Sequence, residues 1–207
     1  MKPVQKIWLR ARRPCADLIH DCNGLAAVEF AMIVPLMLVM FFGTIEFSSG
    51  IAVDRKVTLV ARTLSDLTSQ STSVNDTDLA NFTTTANAIL TPYPSTPLRA
   101  TITELWIDPS TGQARVQWSK GSAARGTGTT VSLPSSNLIA RDSTGNVVAN
   151  QYLILSEVSY LYVPTIGYVM AEAGINLTDI SYTRPRQSAC VVYPTPTSGG
   201  FPACPTS

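Results

Sequence analysis

Few side chains in this sequence have the chemistry to make or break a covalent bond. The only histidine, His20, lies in a cationic N-terminal segment, so the rest of the chain has no imidazole for a Ser-His-Asp or Cys-His arrangement or for a metal site. The candidate catalytic acids stand singly in polar stretches, as solvated surface acids do: Glu157, Glu172 and Asp179. The glycine-rich stretches GSAARG and GTGTT lack the lysine of a phosphate-binding loop. The sequence therefore disfavours an enzyme and predicts no cofactor and no metal site.

One carboxylate stands in an unusual position. Glu29 follows Gly24 by five residues and precedes Phe30–Ile45 (FAMIVPLMLVMFFGTI), a run without a charge. A carboxylate at the edge of lipid costs free energy, so it is a candidate functional residue whose partner must be sought. If the chain were cut after Gly24, the new α-amino group of Leu25 would lie about one turn away, and pairing would offset part of the desolvation of both charges. The alternative is that Glu29 only marks the water edge of the apolar segment.

The apolar segment has the length of a membrane span. Residues 25–47 would form a helix of about 35 Å, against a bilayer core of about 30 Å. A buried helix of a soluble core is the alternative, but residues 1–24 carry five Lys or Arg against two Asp, which places that end in the cytoplasm. The segment is longer than the apolar core of a signal peptide and lacks a clear signal peptidase site. We therefore predict a basic cytoplasmic leader (1–24), a retained transmembrane helix (25–47) and an exported C-terminal part.

The same helix is expected to continue beyond the membrane. Apolar residues spaced by three and four draw one stripe along an amphipathic extension over residues 48–70: Val53, Val57, Val60, Leu64 and Leu67. We predict one helix from about residue 26 to about residue 69, with a kink at Pro35. The stripe is expected to pack mainly within the chain rather than in the groove of a partner.

The exported part is predicted to be an α+β domain over residues 71–186, a β-rich region that follows the long N-terminal helix. Asp76 or Asp78 is expected to cap a short helix that TPYPSTP, residues 91–97, ends. The strands are expected to be a hairpin of Ala100–Ile107 and Ala114–Lys120, one or two strands within Val147–Pro164, and Ile175–Tyr182. Residues 121–136 are predicted to be a flexible surface loop, and residues 187–207 a Pro/Gly/Thr-rich tail without a packed element from residue 190 onward.

The cysteines divide between the two sides of the membrane. Cys190 and Cys204 lie in the exported part, where an oxidising compartment would favour a disulfide between them, with two unpaired thiols as the alternative. Cys15 and Cys22 lie on the cytoplasmic side and fit no zinc pattern without further ligands. No basic patch exists outside the leader, so nucleic acid is not an expected partner.

The stretch Gly24–Phe47, GLAAVEFAMIVPLMLVMFFGTIEF, resembles the TadE-like family of minor pseudopilins of tight-adherence (Flp-type) pili. A basic leader ending in glycine, glutamate as the fifth residue after it and then an aromatic residue is similar to a class III prepilin signal. The resemblance implies that a membrane aspartyl prepilin peptidase cuts after Gly24, makes Leu25 the N-terminus and recognises Glu29 with Phe30. Phe30 departs from the tyrosine that is frequent in the family. A weaker similarity covers Val158–Pro164 and residues 183–186 (TRPR).

This resemblance implies a pilin-like fold and a non-catalytic protein that assists the assembly of an adhesion pilus. Its expected partners are the prepilin peptidase, other pilins or pseudopilins and the inner-membrane assembly platform, and its C-terminal domain would be periplasmic. Two other classes stay open at this point: an uncleaved single-pass protein with a periplasmic ligand- or glycan-binding domain, and an anchored periplasmic enzyme. The first of these predicts that residues 1–24 are retained and that Glu29 can be replaced by Gln or Leu without consequence.

Overall fold

The structure, a computed structural model, describes residues 24–164 and 174–193. It has a long helix, α1 (Gly24–Ser69), a shorter helix, α2 (Asp76–Leu90), and a five-stranded antiparallel sheet with the order β3-β2-β1-β4-β5. The strands are β1 (Leu98–Ile107), β2 (Ala114–Gly121), β3 (Thr130–Val131), β4 (Gln151–Tyr162) and β5 (Ile175–Thr183). The architecture confirms the predicted α+β class and its long N-terminal helix.

The C-terminal half of α1 packs on one face of the sheet. Val53, Val57 and Val60 are fully buried, Leu64 is nearly so, and Leu67 is half-buried. The first four share one apolar cluster with residues of α2 and of the sheet, among them Leu90, Ile102, Ile154 and Val158. Burial of one such side chain stabilises a fold by roughly 1.5–3 kcal/mol. The predicted stripe is therefore core within the chain, and it fixes α1 to the sheet.

The start of α2 is a capping box. The Oδ1 atom of Asn75 accepts a hydrogen bond from the Asp78 N–H at 3.0 Å, and the Asp78 carboxylate accepts one from the Asn75 N–H at 3.0 Å. The prediction that Asp76 or Asp78 is the cap was wrong. Asn75 takes that place because its extended backbone presents a side-chain oxygen to the free N–H groups, while Asp78 supplies the reciprocal bond. The helix ends at Leu90, as TPYPSTP predicted.

Lys56 of α1 binds the other end of α2. Its Nζ atom donates to the carbonyl oxygens of Ile89 at 2.7 Å and Thr91 at 2.8 Å, where helical carbonyls lack partners within the helix. Lys56→Met keeps most of the aliphatic stem but removes both bonds, so we expect it to lower the free energy of unfolding by about 1 kcal/mol in denaturant titrations. Arg55→Met, at an exposed position of the same helix, is the control. An equal loss in both variants would contradict this role of Lys56.

The strands follow the alternation of the sequence closely. β1 and β2 form the predicted hairpin, with a bulge where Gln117 falls between the partners of Glu104 and Leu105. The stretch Val147–Pro164 holds a single strand, β4, and β5 matches the last predicted strand. Residues 121–136 differ from the flexible loop expected, because they contain β3. Its two residues are too few to show any alternation.

The opposite face of the sheet has a second apolar cluster. Its buried members come from three strands: Leu105, Ile107, Ala114, Val116, Leu153 and Leu155. Half-buried side chains from the connection between β3 and β4, including Leu133, Leu138 and Val147, pack over them. Both faces of β1 are therefore covered, which accounts for the nearly continuous burial of ATITELWI.

Gly121 ends β2 where two backbones meet. It has φ +133°, and a Cβ at this position would lie 2.2 Å from the carbonyl oxygen of Ala100 and 2.6 Å from Cα of Thr101. We therefore expect Gly121→Ala to lower the free energy of unfolding by at least about 2 kcal/mol. Gly145→Ala is the matched control, since Gly145 also has a positive φ of +88° but nothing within 4 Å. Equal losses in denaturant titrations would show that backbone conformation, not the clash, sets the cost.

The last described residues are part of the core. Val191 is fully buried, Tyr193 nearly so, and the backbone of Val192 exchanges hydrogen bonds with Thr72 and Val74 at 3.0 and 2.8 Å. The guanidinium of Arg186 pairs with the carboxylate of Asp66 at an Nη2–Oδ1 distance of 2.6 Å, and the backbone N–H of Arg186 donates to the carbonyl oxygen of Ser69. The tail expected to lack packing from residue 190 therefore begins as a strap, residues 184–193, held against both helices and the sheet.

Glu157 differs from the solvated acid that was predicted. It forms a two-pronged ion pair with Arg125 across the face of the sheet away from α1, and the Nη2–Oε1 distance is 2.7 Å. Asp179 accepts a hydrogen bond from the N–H of Ile180 at 2.7 Å. Glu172 lies outside the described residues. The geometry assigns structural contacts, rather than paired acid and base roles, to Glu157 and Asp179.

Candidate processing and assembly site

The candidate processing residues share the first two turns of α1. Gly24, Leu25, Glu29 and Phe30 are all exposed, and within the described part of the chain nothing beyond the neighbouring turn of the helix lies within 4 Å of the place where a Cβ of Gly24 would be. Leu25 and Glu29 are four residues apart and so lie on the same side of the helix, one turn from each other. Among the described residues, none packs over Gly24 or Leu25, and a cut between them would place a new Leu25 amine near the Glu29 carboxylate.

The half of α1 that follows is an apolar rod without cover from the domain. Its best 18-residue window has a mean hydropathy of 2.4, and none of that window is buried. Exposed Phe, Met, Leu, Val and Ile side chains run from Leu25 to Phe47. The helix passes Pro35 without interruption. Among the residues that the structure describes, α1 is the one helix long and apolar enough to cross a membrane, and it supports anchoring of the C-terminal domain.

The junction between span and domain is a contact that sequence reasoning missed. Glu46 is 3% exposed, and the hydroxyl of Tyr162 donates to its Oε2 atom at 3.2 Å. Burial, together with the bond to Glu46, raises the pKa of Tyr162. In the sequence, Glu46 is simply the first charged residue after the apolar run Phe30–Ile45. A signal was present, because extending the stripe backwards from Val53 in steps of three and four leads through Gly50 to Glu46.

A second buried carboxylate, Glu104, was also missed. It is 1% exposed, and its Oε1 atom accepts from the Val191 N–H at 2.6 Å, while Nε1 of Trp118 donates to the Val191 carbonyl at 2.9 Å. Burial raises the pKa of Glu104 to about 8, against the opposing effect of the bonds from Val191 and Trp118. The signal was the alternation of ATITELWI, which puts Glu104 between Ile102 and Trp106 on the face towards α1. Glu104 lies beneath the strap, so it fastens that segment rather than facing a cleft.

The structure describes only some of the residues on which the cysteine and metal predictions depend. Cys190 is buried and disulfide-bonded. Cys204 lies outside the described residues, so the Cys190–Cys204 pairing stays a prediction. Cys15, Cys22 and His20 also lie outside the described residues. Within residues 24–164 and 174–193, no group of three or more His, Cys, Asp or Glu side chains could hold a metal ion.

Comparison with known proteins agrees with the geometry of α1. Residues 24–65 match the family of TadE-like proteins, and the match covers the exposed apolar half together with most of the half that packs on the sheet. No curated protein and no solved structure matches the chain. The family match supports a pilin-like role associated with tight-adherence pili. The resemblance predicted from Gly24, Glu29 and Phe30 is thereby confirmed, and the matched residues make up nearly all of α1.

Proposed function

We propose that this chain is a minor pseudopilin, matured by prepilin peptidase between Gly24 and Leu25, that assists the assembly of tight-adherence pili without catalysis. The observation that carries the proposal is the division of α1. Its first half presents an accessible GLAAVEF segment and a bare apolar surface, and its second half is fixed in the core of a folded domain. Such a helix can pack beside other apolar helices while the domain stays intact.

The proposed setting is the bacterial inner membrane. The basic residues of 1–24 support a cytoplasmic N-terminus, so the sheet would be periplasmic. The proposed partners are the prepilin peptidase, which would recognise Gly24, Glu29 and Phe30, and then other pilins, pseudopilins and the assembly platform. After the cut, the Leu25 amine and the Glu29 carboxylate, within one copy or between two, would pair as both enter apolar surroundings.

The test is the N-terminal sequence and intact mass of the protein extracted from the membranes of its native cells. A chain that begins LAAVEF, with the mass of residues 25–207 apart from any disulfide, would support prepilin-type maturation. A chain that begins at Met1, in cells whose prepilin peptidase is active, would overturn it. Glu29 would then be the edge of an ordinary anchor, and an uncleaved ligand- or glycan-binding protein would be the better interpretation.

A further inference from the structure

One end of the β4–β5 hairpin carries exposed aliphatic side chains. Leu161 and Val163, where β4 ends, and Ile175, where β5 begins, are 37–56% exposed. Tyr162, between Leu161 and Val163, points to the face towards α1, is buried and pairs in register with Ile175. Ile175 therefore lies on the face towards α1, whereas Leu161 and Val163 lie on the opposite face, so the exposed aliphatic side chains surround this end of the sheet. Exposed aliphatic residues that cluster at one end of a sheet call for a covering partner, since they are unfavourable in water.

The contact between Tyr162 and Glu46 fixes the height of this end along α1. A bilayer core of about 30 Å takes about 20 helical residues, which from Leu25 or Ala26 reaches to about Ile45. Glu46 is the next residue, and it is buried against Tyr162 with an Oη–Oε2 distance of 3.2 Å. The exposed end of the hairpin therefore lies at the level where α1 leaves the hydrocarbon, which is also the level of the exposed residue Phe47.

We propose that this end of the sheet is a membrane-contact surface that rests in the headgroup layer of the bilayer that α1 spans. Leu161, Val163 and Ile175 would lie at the boundary between headgroups and acyl chains, as the apolar side chains of interfacial elements do. Arg99 of β1 is exposed and pairs in register with Ser159 of β4. Ser159 precedes Leu161 by two residues, so Arg99 and Leu161 lie on the same face of the sheet. The guanidinium of Arg99 is placed to reach lipid phosphate while its stem covers apolar surface.

Lipid is favoured over another protein as the covering partner, because the patch formed by Leu161, Val163 and Ile175 continues a surface that is already apolar. The exposed side chains of the span run up to Ile45 and Phe47, at the height of Tyr162 and its neighbours, so a membrane that surrounds the span must meet the patch. No second ligand or conformational change is needed. The inference requires the membrane anchor but not the role in pilus assembly.

The experiment measures the depth of single sites in the full chain reconstituted into phosphatidylcholine–phosphatidylglycerol vesicles. An environment-sensitive fluorescent amino acid replaces Val163, and lipids with a spin label near the headgroup act as quenchers. Val148 is the matched control, because it is also exposed (42%) but lies before the other end of β4. Val39, exposed within the apolar half of α1, reports the anchor itself. We expect quenching at Val163 to be at least about twice that at Val148, as for a site about 5–10 Å deep in the interface.

The outcomes distinguish a membrane-contact surface from a membrane anchor alone and from a surface that protein covers. Quenching at Val39 with no difference between Val163 and Val148 would overturn the membrane-contact surface while leaving the anchor in place. A Val163 probe shielded from both the lipid quencher and aqueous iodide would show that protein covers the patch, which also overturns it. Absence of quenching at Val39 would remove the anchor and the inference together. Val163→Asp should release the hairpin end and lower quenching of a Leu161 probe to the level of Val148.

Discussion

Raising the pH from 5 to 8 is expected to lower the free energy of unfolding by about 3 kcal/mol through Glu104 alone. Burial raises the pKa of this carboxyl from its ordinary value of 4.5 to about 8 in the folded protein. The unfolded chain loses its proton first, so the stabilising effect of the protonated form is complete below pH 4.5. It declines as the pH rises and is lost once the pH passes through 8. The measurement is a series of denaturant titrations of the full chain in detergent, followed by tryptophan fluorescence.

Glu104→Gln is the variant that isolates this effect. Glutamine keeps an acceptor for the Val191 N–H and cannot ionise, so the variant should match the parent near pH 5 and exceed its stability at pH 8. Hydrogen bonds lower the pKa of Asp108 and Asp142 from an ordinary value of 3.8, so these acids titrate below the window and cancel in the comparison. Parallel stability curves for the two proteins would show that Glu104 is ionised in the fold and would contradict the prediction.

The second large effect is expected in maturation. Gly24→Val introduces a branched side chain at the residue before the proposed cut, and we expect it to lower the processed fraction at least about tenfold, because a site shaped for glycine has no room for it. Glu29→Gln should also lower the fraction, since the proposed recognition uses the carboxylate. The measurement is the intact mass of each variant in the membranes of its native cells.

Asp54→Asn is the control for the loss of a charge, since Asp54 is exposed on the same helix beyond the span. It should be processed like the parent. If all three variants were processed equally, Gly24 and Glu29 would not be recognition residues. If Asp54→Asn were impaired as strongly as Glu29→Gln, the overall charge of the helix rather than a local motif would matter.

The features that the sequence predicted correctly are those carried by neighbours in the chain. The apolar run and the spacing of Val53, Val57, Val60 and Leu64 determine α1 because residues three and four apart share a helix face. The family resemblance, confirmed over residues 24–65, is also carried by a linear stretch, so it was visible before any fold was known. The alternation of apolar and polar residues predicted β1 and β2, whereas the two residues of β3 are too few to show such an alternation.

The features that were missed depend on distant parts of the chain. Tyr162 lies 116 residues from Glu46, and Val191 lies 87 from Glu104, so local spacing could not pair them. The cap of α2 was misplaced by one or three residues because Asn75, Asp76 and Asp78 all favour helix starts, and only the backbone conformation decides among them. The packing of residues 190–193 was hidden by a Pro- and Thr-rich context that is typical of loops.

The unbroken course of α1 has a mechanical consequence. Its 46 residues form a shaft of about 69 Å, with one end in the apolar segment and the other held by the sheet, and no loop separates the two. A force along the shaft, or a turn about its axis, acts on the domain without being absorbed by a linker. If the protein is drawn upward or rotated during assembly, its domain is displaced by the same distance and angle. Since Glu46 also binds Tyr162 of the domain, a flexible insertion after Gly50 would uncouple the two motions only if that contact were removed as well, while the span and the GLAAVEF segment stay unchanged.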